Sequence, residues 1–280
     1  MPLVTTASLI DQACDHREGL AAFNVITLEH AEAVATGAEE ARRPAILQIS
    51  ENAIRYHKGQ LGPLAGAVAS VAEQATVPLS VHLDHVENED LMRQAAATGI
   101  TSAMFDASKL AYRDNVKATR EAARWAKSHG MWLEAELGEI GGKDGAHAPG
   151  VRTDPGEALA FVEGTDVDGL AVAVGSSHAM IDRTAALDLD LIHALARTVP
   201  VPLVLHGSSG VPDATLQAAI GAGIVKVNIG TILNVAMTAA VRGALMDAAL
   251  VDPRKYLGPG RDAVAREVQR LLTALKPTTP

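Results

Sequence analysis

The stretch VPLSVHLDHVENED, residues 77–90, begins as an apolar run and ends in histidine and carboxylate side chains. Val77–Val81 reads as a buried β-strand, with His82, Asp84 and His85 where it leaves the core. Runs of the same length recur: GLAAFNV (19–25), AILQIS (45–50), PLSVHLD (78–84), SAMFDAS (102–108), MWLEAEL (131–137), GLAVAVG (169–175), PLVLHGS (202–208) and IVKVNIG (224–230). None carries an alternating polar face, as expected of parallel strands covered on both sides. Between them lie helix-like segments rich in Ala, Glu and Arg, such as LEHAEAVATGAEEARR (28–43), NEDLMRQAAATG (88–99) and YRDNVKATREAARWAKSHG (112–130). Several end in Gly, a helix-stop signal. Eight β–α units in about 210 residues predict an α/β fold, a (β/α)8 TIM barrel, with a doubly wound open sheet as the alternative. No linker or charge run divides the chain, so a single domain over 1–280 is expected. The segment after Thr231 reads as a C-terminal helical extension, interrupted by DPRKYLGPGR (252–261).

The chain has 280 residues, 48% hydrophobic and only 3% aromatic, so Ala, Val, Leu and Ile must fill the core. A net charge of −9 without any Lys/Arg block argues against a nucleic-acid partner, which needs clustered positive charge. Cys14 is the one cysteine, which rules out a disulfide within the chain and suits a reducing cytoplasm. The N-terminus lacks a basic start and an apolar signal core, and no apolar run reaches membrane-spanning length. A soluble cytoplasmic protein with no membrane partner is expected.

In a (β/α)8 barrel the reactive residues gather at the C-terminal ends of the strands. His85 closes the third apolar run, His178 follows the sixth and His206 stands near the end of the seventh. Three imidazoles with an open fourth position make a catalytic zinc arrangement. A lone histidine at a strand end is more often a hydrogen-bonded polar residue, so spacing alone leaves both readings open. His82 reads as a core residue or one behind a ligand; His16, His30, His57, His129 and His193 read as surface or helix residues. Asp84, Asp106, Glu134 and Glu136 occupy similar strand positions, the two glutamates on one strand face. A carboxylate near a cation stays ionised and can hold a metal or move protons. A structural hydrogen bond or salt bridge is the other reading, favoured at Glu134. The clusters HGSSG (206–210) and NIGT (228–231) let backbone N–H groups approach an anion, and the loops after strands seven and eight are a frequent phosphate site of such barrels; either cluster alone is also what an ordinary Gly-rich turn looks like, and the pair in these two loops favours phosphate.

With AFNV, HLDH, MFDAS, EAELGEIGG, TDPGEALAFV, AVAVGSSH, LVLHGSSG, KVNIGT and DPRKYL in order along nearly the whole chain, the sequence resembles the class II, metal-dependent ketose-bisphosphate aldolases of the fructose- and tagatose-bisphosphate type. The resemblance implies a lyase of carbohydrate metabolism and glycolysis. It would reversibly cleave a ketose 1-phosphate or 1,6-bisphosphate to dihydroxyacetone phosphate and an aldehyde through a zinc-stabilised enediolate. By the same resemblance, His85, His178 and His206 bind one catalytic Zn2+, with Co2+ or Mn2+ as alternatives, and Asp106 and Glu136 match positions for a second or displaced ion. Asp84 is the proton donor or acceptor at the hydroxyl of the cleaved bond. Gly207, Ser209, Asn228 and Thr231 hold dihydroxyacetone phosphate, with Asn24, Ser50 and Gly175 as further contacts. A homodimer or homotetramer is implied.

The chain departs from the family pattern in four places. Asp144 stands where the mobile base is usually Glu, one methylene longer, with His147 as a fallback. Ala179 follows His178, and Val86 follows His85, where Gly is usual. Gly258 stands where some members carry an Arg for the distal phosphate, leaving Arg254 or Arg261 as substitutes. Lys226 reads as a strand residue or a phosphate neighbour, not a Schiff-base lysine. A partner-dependent or altered aldolase-like subunit and another metal-dependent sugar-phosphate barrel enzyme, such as an isomerase, are the alternatives.

Overall fold

The structure, a computed structural model, describes residues 2–138, 152–176 and 183–276. Among these, strands β1 (Leu20–Asn24), β2 (Ala45–Ser50), β3 (Leu79–Val86), β4 (Ser102–Phe105), β5 (Trp132–Glu136), β6 (Gly169–Ala171), β7 (Leu203–Leu205) and β8 (Ile224–Ile229) form a closed parallel barrel in chain order. β1 pairs with β8 from Leu20↔Lys226 to Phe23↔Ile229, which closes the ring. The open doubly wound sheet is therefore excluded. All eight apolar runs are strands, though β6 and β7 keep only three residues of each run in the ladder.

The helices are α1 (Thr6–His16), α2 (Leu28–Ala41), α3 (Glu51–Tyr56), α4 (Leu61–Gln74), α5 (Glu89–Ala97), α6 (Tyr112–Ser128), α7 (Pro155–Thr165), α8 (Leu189–Thr198), α9 (Asp213–Ala222), α10 (Thr231–Ala244) and α11 (Pro253–Ala274). Most pack on the outside of the sheet, so strand residues that alternate outward meet helix stripes and those that alternate inward fill the barrel. None of the described helices is long and apolar enough to cross a membrane.

Two features decide where a site can form. First, α1 stoppers one end. Its Leu9, Ile10 and Ala13 pack with Leu20, Ala22, Ile46 and Trp132 near the N-terminal ends of β1, β2 and β5. The buried Thr6 hydroxyl also donates to Ser80 and accepts from Ser102. The cavity described below opens at the opposite, C-terminal end. Second, β3 carries a bulge against β4: Leu83 pairs with Ala103 but Val86 with Phe105, so one extra residue lies on β3. His85 takes φ +47° there, rare for a residue with a Cβ. Strict alternation would turn Asp84 and His85 to opposite faces, and the bulge re-aims His85 so that both line the same cavity.

The C-terminal segment corrects one expectation. DPRKYLGPGR does not interrupt a helix but begins α11, with Asp252 accepting from the Arg254 N–H and Pro253 in the first turn. Pro259 lies inside the helix and forfeits the bond to the Lys255 carbonyl. Burial of Val264, Ala265, Val268, Leu271 and Leu272 outweighs that loss.

α11 lies close along α2. A Cβ on Gly37 would sit 2.5 Å from the Ala265 carbonyl oxygen and 2.7 Å from Val268 Cβ. Alanine gains about 1 kcal/mol of helix propensity over glycine, but overpacking costs about 1–3 kcal/mol, and backbone oxygen cannot move aside as a side chain can. Gly37→Ala is therefore expected to lower stability to urea. A midpoint at or above wild type would show that α11 shifts freely.

Candidate active site

A cavity of about 470 Å³ opens at the C-terminal end of the barrel. Asp84, Asn24, Asn228, His85 and the segments Gly207–Ser209 and Gly230–Thr231 line it. Asp84 is almost fully buried. Its Oδ2 accepts from Asn24 Nδ2 at 3.1 Å and its Oδ1 from Asn228 Nδ2 at 3.3 Å. Both amides are oriented from behind: Gln48 Nε2 donates to Asn24 Oδ1 at 2.9 Å, and Lys226 Nζ to Asn228 Oδ1 at 2.8 Å. An amide whose oxygen is engaged presents its nitrogen to the carboxylate.

Each of the two described histidines from the sequence triad is backed by a carboxylate. His85 Nδ1 lies 2.8 Å from Asp106 Oδ2, and Asp106 Oδ1 accepts from the Ser108 hydroxyl at 2.6 Å and its N–H at 3.1 Å. Burial lowers the affinity of the His85 imidazole for a proton, but Asp84, the hydrogen bond to Asp106 and Glu136 outweigh it and push its pKa up to about 10. Burial would raise the Asp106 carboxyl, but the bonds from His85 and Ser108 hold it well below the usual carboxylate range. His206, directly after β7, is fully buried, with Nε2 at 2.8 Å from Glu134 Oε1 and Nδ1 at 3.5 Å from Glu136 Oε2. The His85 and His206 rings meet edge to face at 4.8 Å. One ligand atom from each of Asp84, His85 and His206 falls within 4.8 Å of the others.

The remaining sequence candidates divide. Ser50 lines the cavity and caps α3 by accepting from the Ala53 N–H at 3.2 Å. Gly207 takes φ +66°, and the Ser209 hydroxyl accepts from the Ile232 N–H at 3.3 Å. With Thr231 beginning α10, the two loops form one concave end. Gly230 must lack a side chain, since a Cβ would sit 2.8 Å from Asn24 Oδ1 and disturb the amide that aims Asp84. Glu136 is buried beside His206. His178, Ala179, Asp144 and His147 lie outside the described residues.

Gly175 has φ +122°, and a Cβ there would meet the Ala186 carbonyl oxygen at 2.4 Å, so the backbone itself requires glycine at this position. Of the two readings of Lys226, the strand residue is the one the structure bears out: it lies in β8, fully buried, and donates to Glu134 Oε2 at 2.7 Å as an internal ion pair. His30 lies on α2, the helix reading of the two, and is buried there. Arg254 bonds Asp252 and Arg261 bonds Glu32, and neither lines this chain's cavity.

Sequence reasoning missed Gln48 and the charged rim of the mouth. Arg55 pairs with Glu51 at 2.6 Å and Lys109 with Glu87 at 2.5 Å, and all four line the cavity. Gln48 was signalled by being the one polar residue before the end of AILQIS.

Comparison with known proteins finds similar chains over nearly the whole length. A family model described as fructose-bisphosphate aldolase class-II matches residues 4–278. A probable fructose-bisphosphate aldolase of Bacillus subtilis (strain 168) is 37% identical over 272 residues, 96% of this chain and 95% of that protein. A fructose-bisphosphate aldolase of Geobacillus stearothermophilus is 36% identical over 273 residues, again 96% and 95% of the two chains. Among solved structures, the YdjI aldolase from Escherichia coli K12 superposes with a TM-score of 0.86 at 30% identity, covering 98% of this chain and 97% of that one.

Proposed function

Because the chain belongs to the class-II fructose-bisphosphate aldolase family, we propose that it reversibly cleaves a ketose bisphosphate of the fructose or tagatose type to dihydroxyacetone phosphate and an aldehyde. The observation that carries this reading is the convergence of Asp84, His85 and His206 beside the Gly207–Ser209 and Gly230–Thr231 loops in one cavity.

The family is metal-dependent, and the donor set fits a divalent ion. Two imidazoles, each fixed by a carboxylate on its other nitrogen, are the usual way proteins orient metal-binding histidines. His85 through Nε2 and His206 through Nδ1 would hold the ion, since Asp106 and Glu134 engage the opposite nitrogens, with His178 as the third ligand. Zinc is the metal best suited to three imidazoles, with Co2+ or Mn2+ as substitutes. When bound, such an ion supplies a Lewis acid that makes the carbon beside the ketone acidic. Asp106 and Glu136 fit the tasks of fixing the histidines or of holding a second or displaced ion.

The chain's own residues do the rest. The backbone of Gly207–Ser209, the Thr231 end of α10 and the Asn228 amide bind and orient the phosphorylated three-carbon unit, as helix N-termini bind anions. Asn24 and Ser50 border the same volume. Asp144 takes the carbon-bound proton from this unit. Asp84, steadied by Asn24 and Asn228, moves the proton of the hydroxyl at the bond that breaks. Asn24 and Asn228 keep its carboxylate facing the cavity in both directions of the reaction.

The exposed apolar residues Val235, Leu245, Met246 and Val251 on and after α10 support a homodimer or homotetramer. Packing of both α1 and α11 on the barrel supports a single domain. The lone Cys14 fits a cytoplasmic setting.

The test is solvent-proton exchange into dihydroxyacetone phosphate with zinc and no aldehyde. Exchange that requires zinc and disappears in Asp144→Ala is the expected result. Its absence in folded, zinc-loaded protein would defeat the assignment of the base to this chain.

A further inference from the structure

Lys226 lies within β8 with no exposure to solvent, and the reaction above makes no use of it. It does not line the cavity, so it cannot reach a substrate as a nucleophile. Its ammonium donates to Glu134 Oε2 at 2.7 Å and to Asn228 Oδ1 at 2.8 Å. Each acceptor leads to a different part of the site. The other oxygen of Glu134 engages His206 Nε2 at 2.8 Å, and the Asn228 nitrogen donates to Asp84 at 3.3 Å.

A buried ion pair does little more for stability than apolar side chains of the same volume, because desolvation offsets the attraction. The fold alone therefore does not account for a Lys–Glu pair at this place. Its geometry does. With Oε2 anchored, Glu134 keeps the Nε2 proton of His206 and leaves Nδ1 as the ligating atom. With Oδ1 anchored, the Asn228 amide cannot turn over and set its oxygen against the Asp84 carboxylate.

We propose that Lys226 is a positioning residue that sets metal affinity through Glu134 and His206, and the aim of the acid/base Asp84 through Asn228. The inference rests on the assignment of His206 as a ligand and Asp84 as the proton carrier.

Lys226→Met alone leaves Glu134 as a lone buried charge and can unfold the barrel. The informative variant is therefore the double Glu134→Gln/Lys226→Met, which leaves no charge and keeps an acceptor for His206. Zinc affinity is measured by chelator competition on protein shown to be folded by circular dichroism. Cleavage is then followed at saturating zinc with the bisphosphate the wild type cleaves, fructose or tagatose 1,6-bisphosphate. Zinc should bind about 10–100-fold more weakly. At saturating zinc, kcat should fall by about tenfold or more with KM little changed, a split that a purely structural role would not produce.

His206→Ala and Asp84→Ala run beside it. If those lose zinc and turnover respectively while the double variant keeps both within about threefold, the Lys226 inference is overturned and the site reading survives. If His206→Ala still binds zinc as wild type does, the metal-site reading falls and takes the inference with it.

Discussion

His206→Ala should abolish metal binding and reduce cleavage by about a thousandfold or more. Lewis-acid stabilisation is worth several kcal/mol, and each 1.36 kcal/mol is a factor of about ten in rate. The imidazole is fully buried between Glu134 and Glu136, and its removal takes away one of the neutral nitrogen donors of the set. The variant should remain folded, because Glu134 keeps its bond from Lys226 when His206 is removed. Metal content after dialysis and turnover with added zinc are the measurements. Stoichiometric zinc with wild-type turnover would mean that His206 is a structural histidine and that the ligand set lies elsewhere.

Asp84→Ala separates the two halves of the reaction. Loss of a positioned acid/base typically costs about 10²–10⁴-fold, so carbon–carbon cleavage should fall by that amount. Proton exchange into dihydroxyacetone phosphate should persist within about tenfold, since that proton is assigned to Asp144. The Nδ2 groups that Asp84 leaves behind, on Asn24 and Asn228, border the open cavity and can bond water, which limits the loss of stability. If exchange and cleavage fall together, Asp84 serves the carbon-bound proton or holds the metal directly, a role its place beside His85 and His206 also allows.

The barrel was legible because its strands are covered on both faces, which writes each as an unbroken apolar run between helical segments. The register of the site was less legible. Asp84 and His85 are successive residues, and alternation alone would send one of them outward. The β3 bulge that brings both inward depends on pairing with β4, and a single strand's sequence does not encode it. The Lys226–Glu134 pair was half written. A lysine inside IVKVNI and a glutamate inside WLEAE are each costly to bury alone, so each implied the other. The start of α11 was misread because Gly258 and Pro259 are helix breakers, and their cost is met by contacts with α2 and α10 that lie far off in sequence. Asp106 was read for its charge, whereas its bond to His85 could be known only once β3 and β4 lay side by side.

Closure of the sheet between β1 and β8 also governs how the chain is made. On a ribosome, Leu20–Asn24 emerges early, but its partner Ile224–Ile229 comes 200 residues later. At about 5–20 residues per second this leaves β1 with one bare edge for roughly 10–40 s. The nascent chain also lacks α11, whose stripe covers α2 in the finished molecule. During that interval the half-built sheet offers two unpaired edges and an uncovered helix face, the features that draw partly made chains into aggregates or onto chaperones. Synthesis of the last fifth of the chain therefore decides whether the first four-fifths stays in solution.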